Sequence, residues 1–244
     1  MAQINKNVIE QLKKDILLKQ GYKPASADTL KISGLQQVEA NFPNGVFPTG
    51  MIHEFISNRD EHASACRGFI SGLLNSLTGN KGMCIWVSMQ RTIYAPALKE
   101  FGIEPDQLIF VDVAKEKDLL WVTEEALKCD GFAAVITEIK ELSFSQSLRL
   151  QLAVEQSKVT GLVLRTDDTK INPTATVARW QITPLPSHLQ GGLPGVGFPR
   201  WKVELLKVRN GQPGAWEFEW QGGKFLPVYE TESGNINTSV RKAG

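Results

Sequence analysis

The order of apolar and polar positions divides the chain into three parts. Over residues 4–19, Ile4, Val8, Ile9, Leu12, Ile16 and Leu17 recur near helical spacing with Lys and Glu between them. That spacing predicts an amphipathic helix, which either packs on its own domain or serves a partner. A polar segment, 20–35, separates it from the rest of the chain. From residue 51, short continuous apolar runs (51–56, 83–87, 108–113, 132–137 and 161–164) alternate with amphipathic stretches (about 62–78, 93–102, 117–129 and 144–158). Strands alternating with helices predict βαβ units, and continuous rather than alternating apolarity suits strands covered on both faces. After residue 173 the period changes to two. ATVARWQIT and RWKVELLKV alternate, and AWEFEW follows NGQPG, which predicts antiparallel strands with a hairpin turn at 210–214. The first two of these are joined by PLPSHLQGGLPGVGFP, a loop whose length marks it as functional or mobile. The stretch 231–244 lacks apolar anchors and is expected to be a disordered tail. The parts are therefore 1–34, helix and linker; 35–230, an α/β domain; and 231–244, the tail.

Composition narrows the class. Among 244 residues, 42% are hydrophobic and 22% charged, which is ordinary for a soluble globular protein. Net charge is +1, so DNA binding would need a local basic patch rather than a global field. Cys66, Cys84 and Cys129 are odd in number, widely spaced and without a CxxC. They read as buried, reduced thiols of a cytoplasmic protein, and no metal site is expected. Neither a secretory leader nor an apolar run long enough for a membrane is visible. His53, His62 and His188 have no partner set at catalytic spacing, and GxSxG is absent.

The segment GVFPTGMIHEFISNRDEHASACRGF, 45–69, carries the candidate chemistry. A turn leads into a short strand, and a loop then opens a helix, which is the setting of the phosphate loop GxxxxGK[ST]. Glycines there let backbone N–H groups crowd round phosphate, a lysine reaches the outer phosphates, and the Ser/Thr holds magnesium. Here the two glycine slots hold Ser57 and His62, the lysine slot holds Ala63, and only Ser64 suits its place. Asp60 and Glu61 would repel a triphosphate, each by roughly 1 kcal/mol or more. The loop reads as degenerate, with Ser64 a small residue near a helix start and Asp60 and Glu61 first-turn acids favoured by the helix dipole.

PNGVFPTGMIHEF and MCIWVSMQRTIYAPALKEFGIEPDQLIFV resemble the phosphate-loop approach and the following strand, helix and strand of RecA-type recombinases. Gln90 stands where that family has its catalytic glutamate, and a glutamine cannot act as general base. Thr137, with Glu138 next, ends the strand where a magnesium-binding aspartate is expected. The order and spacing of these motifs, with the C-terminal hairpin, resemble the ImuA family over about 35–222. These are bacterial proteins similar to RecA and to the division inhibitor SulA. The resemblance implies a RecA-like α/β core with a mostly parallel sheet flanked by helices, antiparallel C-terminal strands and an N-terminal helical extension. It also implies a non-catalytic adaptor, without cofactor, in SOS-induced translesion synthesis. Its partners would be an ImuB-like Y-family polymerase homologue and, indirectly, an error-prone replicative-type polymerase, with a RecA filament or single-stranded DNA as further contacts. The alternatives are an ATPase or DNA-stimulated module with Ser64 and Glu138 on magnesium, and a SulA-like inhibitor of division.

Two further groups carry alternatives. RWKVELLKVRNGQPG resembles the RecA segment whose two basic residues reach a neighbour's nucleotide, and Lys207 and Arg209 take those positions. They either form a partner interface or point to solvent from an antiparallel strand. Trp180, Trp201, Trp216 and Trp220 lie among Arg179, Arg200 and Lys202. This is either a stacking platform for single-stranded DNA or one buried face of a sheet.

Overall fold

The computed structural model describes residues 2–26, 30–79, 82–166, 172–187 and 197–229, with backbone alone for 2–7. Among the described residues, nine strands form one sheet: β1 Ile52–Ile56, β2 Met83–Ser88, β3 Leu108–Asp112, β4 Phe132–Ile139, β5 Thr160–Arg165, β6 Ala178–Leu185, β7 Arg200–Val208, β8 Gly214–Gln221 and β9 Lys224–Pro227. Their order is β3-β2-β4-β5-β1-β6-β7-β8-β9. Pairing is parallel from β3 to β6 and antiparallel beyond. The helices are α1 Ala2–Lys19, α2 Gln36–Glu39, α3 Asp60–Thr78, α4 Glu116–Lys128 and α5 Phe144–Ser157. This is the expected α/β architecture, mostly parallel with an antiparallel C-terminal extension.

Local chemistry explains the elements. The continuous apolar runs form strands buried on both faces, as in β1 and β5, whose residues are all buried. Asp60 and Glu61 occupy the first turn of α3. A capping box opens α5: the Gln146 N–H donates to Ser143 Oγ at 3.2 Å, and the Ser143 N–H donates to Gln146 Oε1 at 2.8 Å. The stretch read as a helix over 93–102 is a 3-10 helix, Ala95–Phe101, with Pro96 in its first turn. β9 and α2, only four residues each, are too short for a periodic pattern to mark them.

Two cores flank the sheet. On one face α3 and residues from Tyr22 to Phe47 enclose Phe55, Trp180, Trp201, Phe218 and Phe225. On the other, α4 and α5 cover Ile52, Val87, Val135 and Val163. The N-terminal segment straps the far end of the sheet, where the Phe225 N–H donates to Ser33 O at 3.1 Å. Cys66 and Cys84 are buried, and burial pushes both thiols up to about 12. Cys129, expected inside, is exposed because it lies just beyond the end of α4. His188, most of the Pro/Gly loop and the tail lie outside the described residues. Among the described residues, no helix is long and apolar enough to cross a membrane.

His53 sits in the first core, stacked on Phe47 at 4.6 Å between centroids. The Trp180 Nε1–H donates to its Nδ1 at 3.2 Å, so Nε2 carries the proton and donates to Pro48 O at 2.7 Å. Burial pushes its pKa from 6.5 down to about 4. A depressed histidine contributes stability that is complete above pH 6.5 and is lost as pH falls towards 4, about 3 kcal/mol in all. His53→Gln keeps an acceptor and a donor but does not titrate. Urea unfolding at pH 7 and pH 4.5 should therefore show wild type losing about 2–3 kcal/mol more than the variant. Equal losses would refute the assignment.

Candidate functional site

β1 and α3 are joined by only Ser57, Asn58 and Arg59. The Ser57 N–H donates to Arg165 O at 3.0 Å, so the opening slot of the loop prolongs the β1–β5 ladder. Its hydroxyl donates to Arg59 O at 2.9 Å. Arg59 is extended, and α3 begins at the next residue. His62, Ala63 and Ser64 are therefore already helical, and no residue from 57 to 64 has a positive φ. A phosphate nest needs several N–H groups turned inward by a mixed-handed backbone, and this connection is too short and too regular to make one. Ala63 is buried, Ser64 is exposed, and the His62 Nδ1 is buried without a partner among the described residues.

Beyond that helix start lies a contact that linear motifs do not reveal. Arg67, one turn past Ala63, donates from Nε to Glu138 Oε1 at 3.0 Å and from a terminal nitrogen to Oε2 at 2.7 Å. The Trp86 Nε1–H donates to the same Oε1 at 3.0 Å. The carboxylate beside the expected metal position is thus held by a bidentate arginine fork and an indole. Thr137, next along β4, points to the opposite face; it is buried, and its hydroxyl has no partner among the described residues. The signal for Arg67 was its helical spacing from the lysine slot, which places both on one face of α3.

Two clefts flank this ion pair. One, about 550 Å³, lies among Asp60, Ser88, Gln90, Thr92, Glu116 and Lys140. β2 leads on to β3 at one side and β4 to β5 at the other, so this cleft occupies the switch point where open α/β sheets place ligands. Gln90 is exposed on its wall. The other cleft, about 760 Å³, is bounded by Ser64, Tyr94, Phe101, Phe198, Arg200 and Trp201.

Lys207 and Arg209 belong to a different site. Lys207 Nζ donates to Thr174 O at 2.8 Å, and Arg209 donates to Ala175 O. Both fasten the connector before β6 and are half-buried rather than free in solvent. Beneath that connector lies Glu54, fully buried in β1. Its carboxylate accepts from Arg165 at 2.7 Å, Arg179 Nε at 2.9 Å and the Thr174 hydroxyl at 2.7 Å. Burial, then the charges of Arg179 and Arg209, lower the Lys207 pKa, against the opposing pull of Glu54.

The tryptophan group resolves into core. Trp180, Trp201 and Trp220 are buried in the first core, and Trp216 packs against it. Successive strand residues face opposite ways, so Arg200 and Lys202 point away from Trp201. They pair instead with Glu217 at 3.4 Å and Glu204 at 2.8 Å. Arg179 is committed to Glu54. On β7, alternation therefore sets the buried Trp201 and the basic Arg200 and Lys202 on opposite faces of the strand.

No family model matches the chain. Among curated proteins it is similar to Protein ImuA of two Caulobacter vibrioides strains, NA1000 and CB 15. Each is 32% identical over 200 residues, spanning 77% of this chain and 82% of the relative.

Proposed function

This chain belongs to the ImuA family, and from that premise we propose that it serves damage-induced mutagenesis as a non-catalytic adaptor. Its work is contact, joining an ImuB-type polymerase homologue to the translesion machinery. The observation that carries the non-catalytic reading is the Arg67 fork on Glu138. An internal cation takes the carboxylate that a metal–nucleotide complex would need. The three-residue link from β1 to α3 supports the same reading, since it offers no cradle for phosphate. For the contact itself, the favoured surface is α1, whose Val8, Ile9, Leu12 and Ile16 are each more than half exposed along one stripe. A helix draws most of its stability from packing its amphipathic face, so a partner groove that covers the stripe would stabilise it.

A fluorescent ATP analogue, titrated with magnesium in the presence and absence of single-stranded DNA, should show no saturable binding up to about 100 μM, equivalent to about 5.5 kcal/mol. Tighter binding would restore the ATPase alternative built on Ser64 and Glu138. Leu12→Asp with Ile16→Asp should weaken binding to an ImuB-type protein by about tenfold or more while leaving the melting transition in place. Unchanged affinity would remove α1 from the contact.

A further inference from the structure

α4 and α5 lie side by side on the second face of the sheet, and each buries one stripe: Leu119, Thr123, Ala126 and Leu127 on α4, Ser147, Leu150 and Val154 on α5. Their outer surfaces are not the polar faces expected of solvent-facing helices. Trp121 is 62% exposed at the middle of α4, and Leu148 and Leu152 of α5 are 40% and 54% exposed. An Arg149–Glu124 ion pair ties the helices together, and a groove of about 430 Å³ runs between them over Leu152 and Ala153. Exposed apolar side chains on two neighbouring helices, a tryptophan among them and charges beside them, are the usual make-up of an interface.

The charges around Trp121 indicate what covers it. Lys117 stands four residues before it and Glu125 four residues after, both exposed and on the same face of α4. Glu125 is held at 2.8 Å by Lys128 of its own helix, an exposed pair that contributes little and that a second molecule can displace. A two-fold axis through Trp121 would run two α4 helices antiparallel, setting each Lys117 opposite the other molecule's Glu125. A parallel arrangement would oppose like charges. Antiparallel α4 helices also bring opposite dipole ends together, with the first-turn acids Glu116 and Asp118 towards the last-turn Lys128 of the other copy. The patch is thus complementary to itself, the condition for an isologous dimer. We propose that the chain forms a two-fold homodimer through α4 and α5, with Trp121 at its centre.

Sedimentation velocity on the full chain, from low micromolar to several hundred micromolar, should show a monomer–dimer equilibrium. Trp121→Ala should raise the dissociation constant about tenfold or more without moving the melting transition. Lys117→Glu should weaken the dimer, and adding Glu125→Lys in the same chain should restore it. A monomer at every concentration overturns the proposal. So does a dimer indifferent to Trp121→Ala, or a double charge swap that fails to recover association. Trp121→Ala that spares self-association but abolishes binding to an ImuB-type protein would assign the face to that protein and likewise overturn it.

Discussion

Glu54→Gln should lower the unfolding free energy by about 3–5 kcal/mol, read as a loss in the denaturant midpoint. Glu54 is fully buried, and the side chains of Arg165 and Arg179 that meet it are only 1% and 9% exposed. The amide is the same shape but carries no charge, and half of it donates where two guanidinium groups and a threonine hydroxyl need an acceptor. The cost is therefore that of removing the buried charge that faces two guanidinium groups, which is much larger than the net worth of the pair. A second variant separates these terms. Replacing Glu54, Arg165 and Arg179 together by methionine should cost less than Glu54→Gln alone, because no buried charge is left behind. A Glu54→Gln loss within about 1 kcal/mol would show that water reaches the cluster.

Gly34→Ala should also cost more than about 3 kcal/mol, lowering the melting temperature by about 6–12 °C. Gly34 has φ +88°, and a Cβ there would fall 1.7 Å from the Phe225 carbonyl oxygen. The obstacle is backbone, so no rotamer change relieves it. β9 would have to move, and with it Phe225, whose ring lies 5.0 Å from Phe69 and 4.9 Å from Trp220. Gly45→Ala is the control. Its φ of +64° is similar, but nothing lies within 4 Å of the new methyl, so it should cost only about 1 kcal/mol. Equal effects at the two glycines would mean that handedness alone, and not the close approach, fixes residue 34.

The fold was legible where one property repeats along a segment. Apolar runs marked β1 to β5 to within a few residues at each end, and alternation marked β6, β7 and β8. Local reading failed where a single residue departs from its segment. Glu54 sits inside the run MIHEFI and looks like an interruption; its partners close other strands more than a hundred positions away. The Arg67–Glu138–Trp86 contact is invisible for the same reason, since 71 and 52 positions separate the members. For Lys207, simple alternation along β7 gave the wrong aim. The register shifts between Arg179 and Trp180, so Leu206 becomes an extra residue, 40% exposed. Lys207 is turned onto the connector instead, as a bulge re-aims the side chains beyond it. The substituted loop was legible as substitutions, and Asp60 and Glu61, read as first-turn acids, already marked the early start of α3 that shortens it.

The strap over β9 has a bearing on how the chain reaches this structure. Ser33 meets Phe225, Tyr22 meets the Arg209 carbonyl across 187 positions, and Gln37 meets Tyr229 across 192. During synthesis the N-terminal segment emerges first but cannot complete these contacts until the last strands arrive. The parallel strands between can pair earlier through their short βαβ connections. The final step is therefore closure of the longest loop in the molecule, and such closures are slow because their entropy is paid before any contact returns it. Until the strap closes, its apolar residues and the edge of β9 are both uncovered, which makes the nearly finished chain the species most in need of a chaperone. A chain cut at residue 35 would remain in that condition permanently.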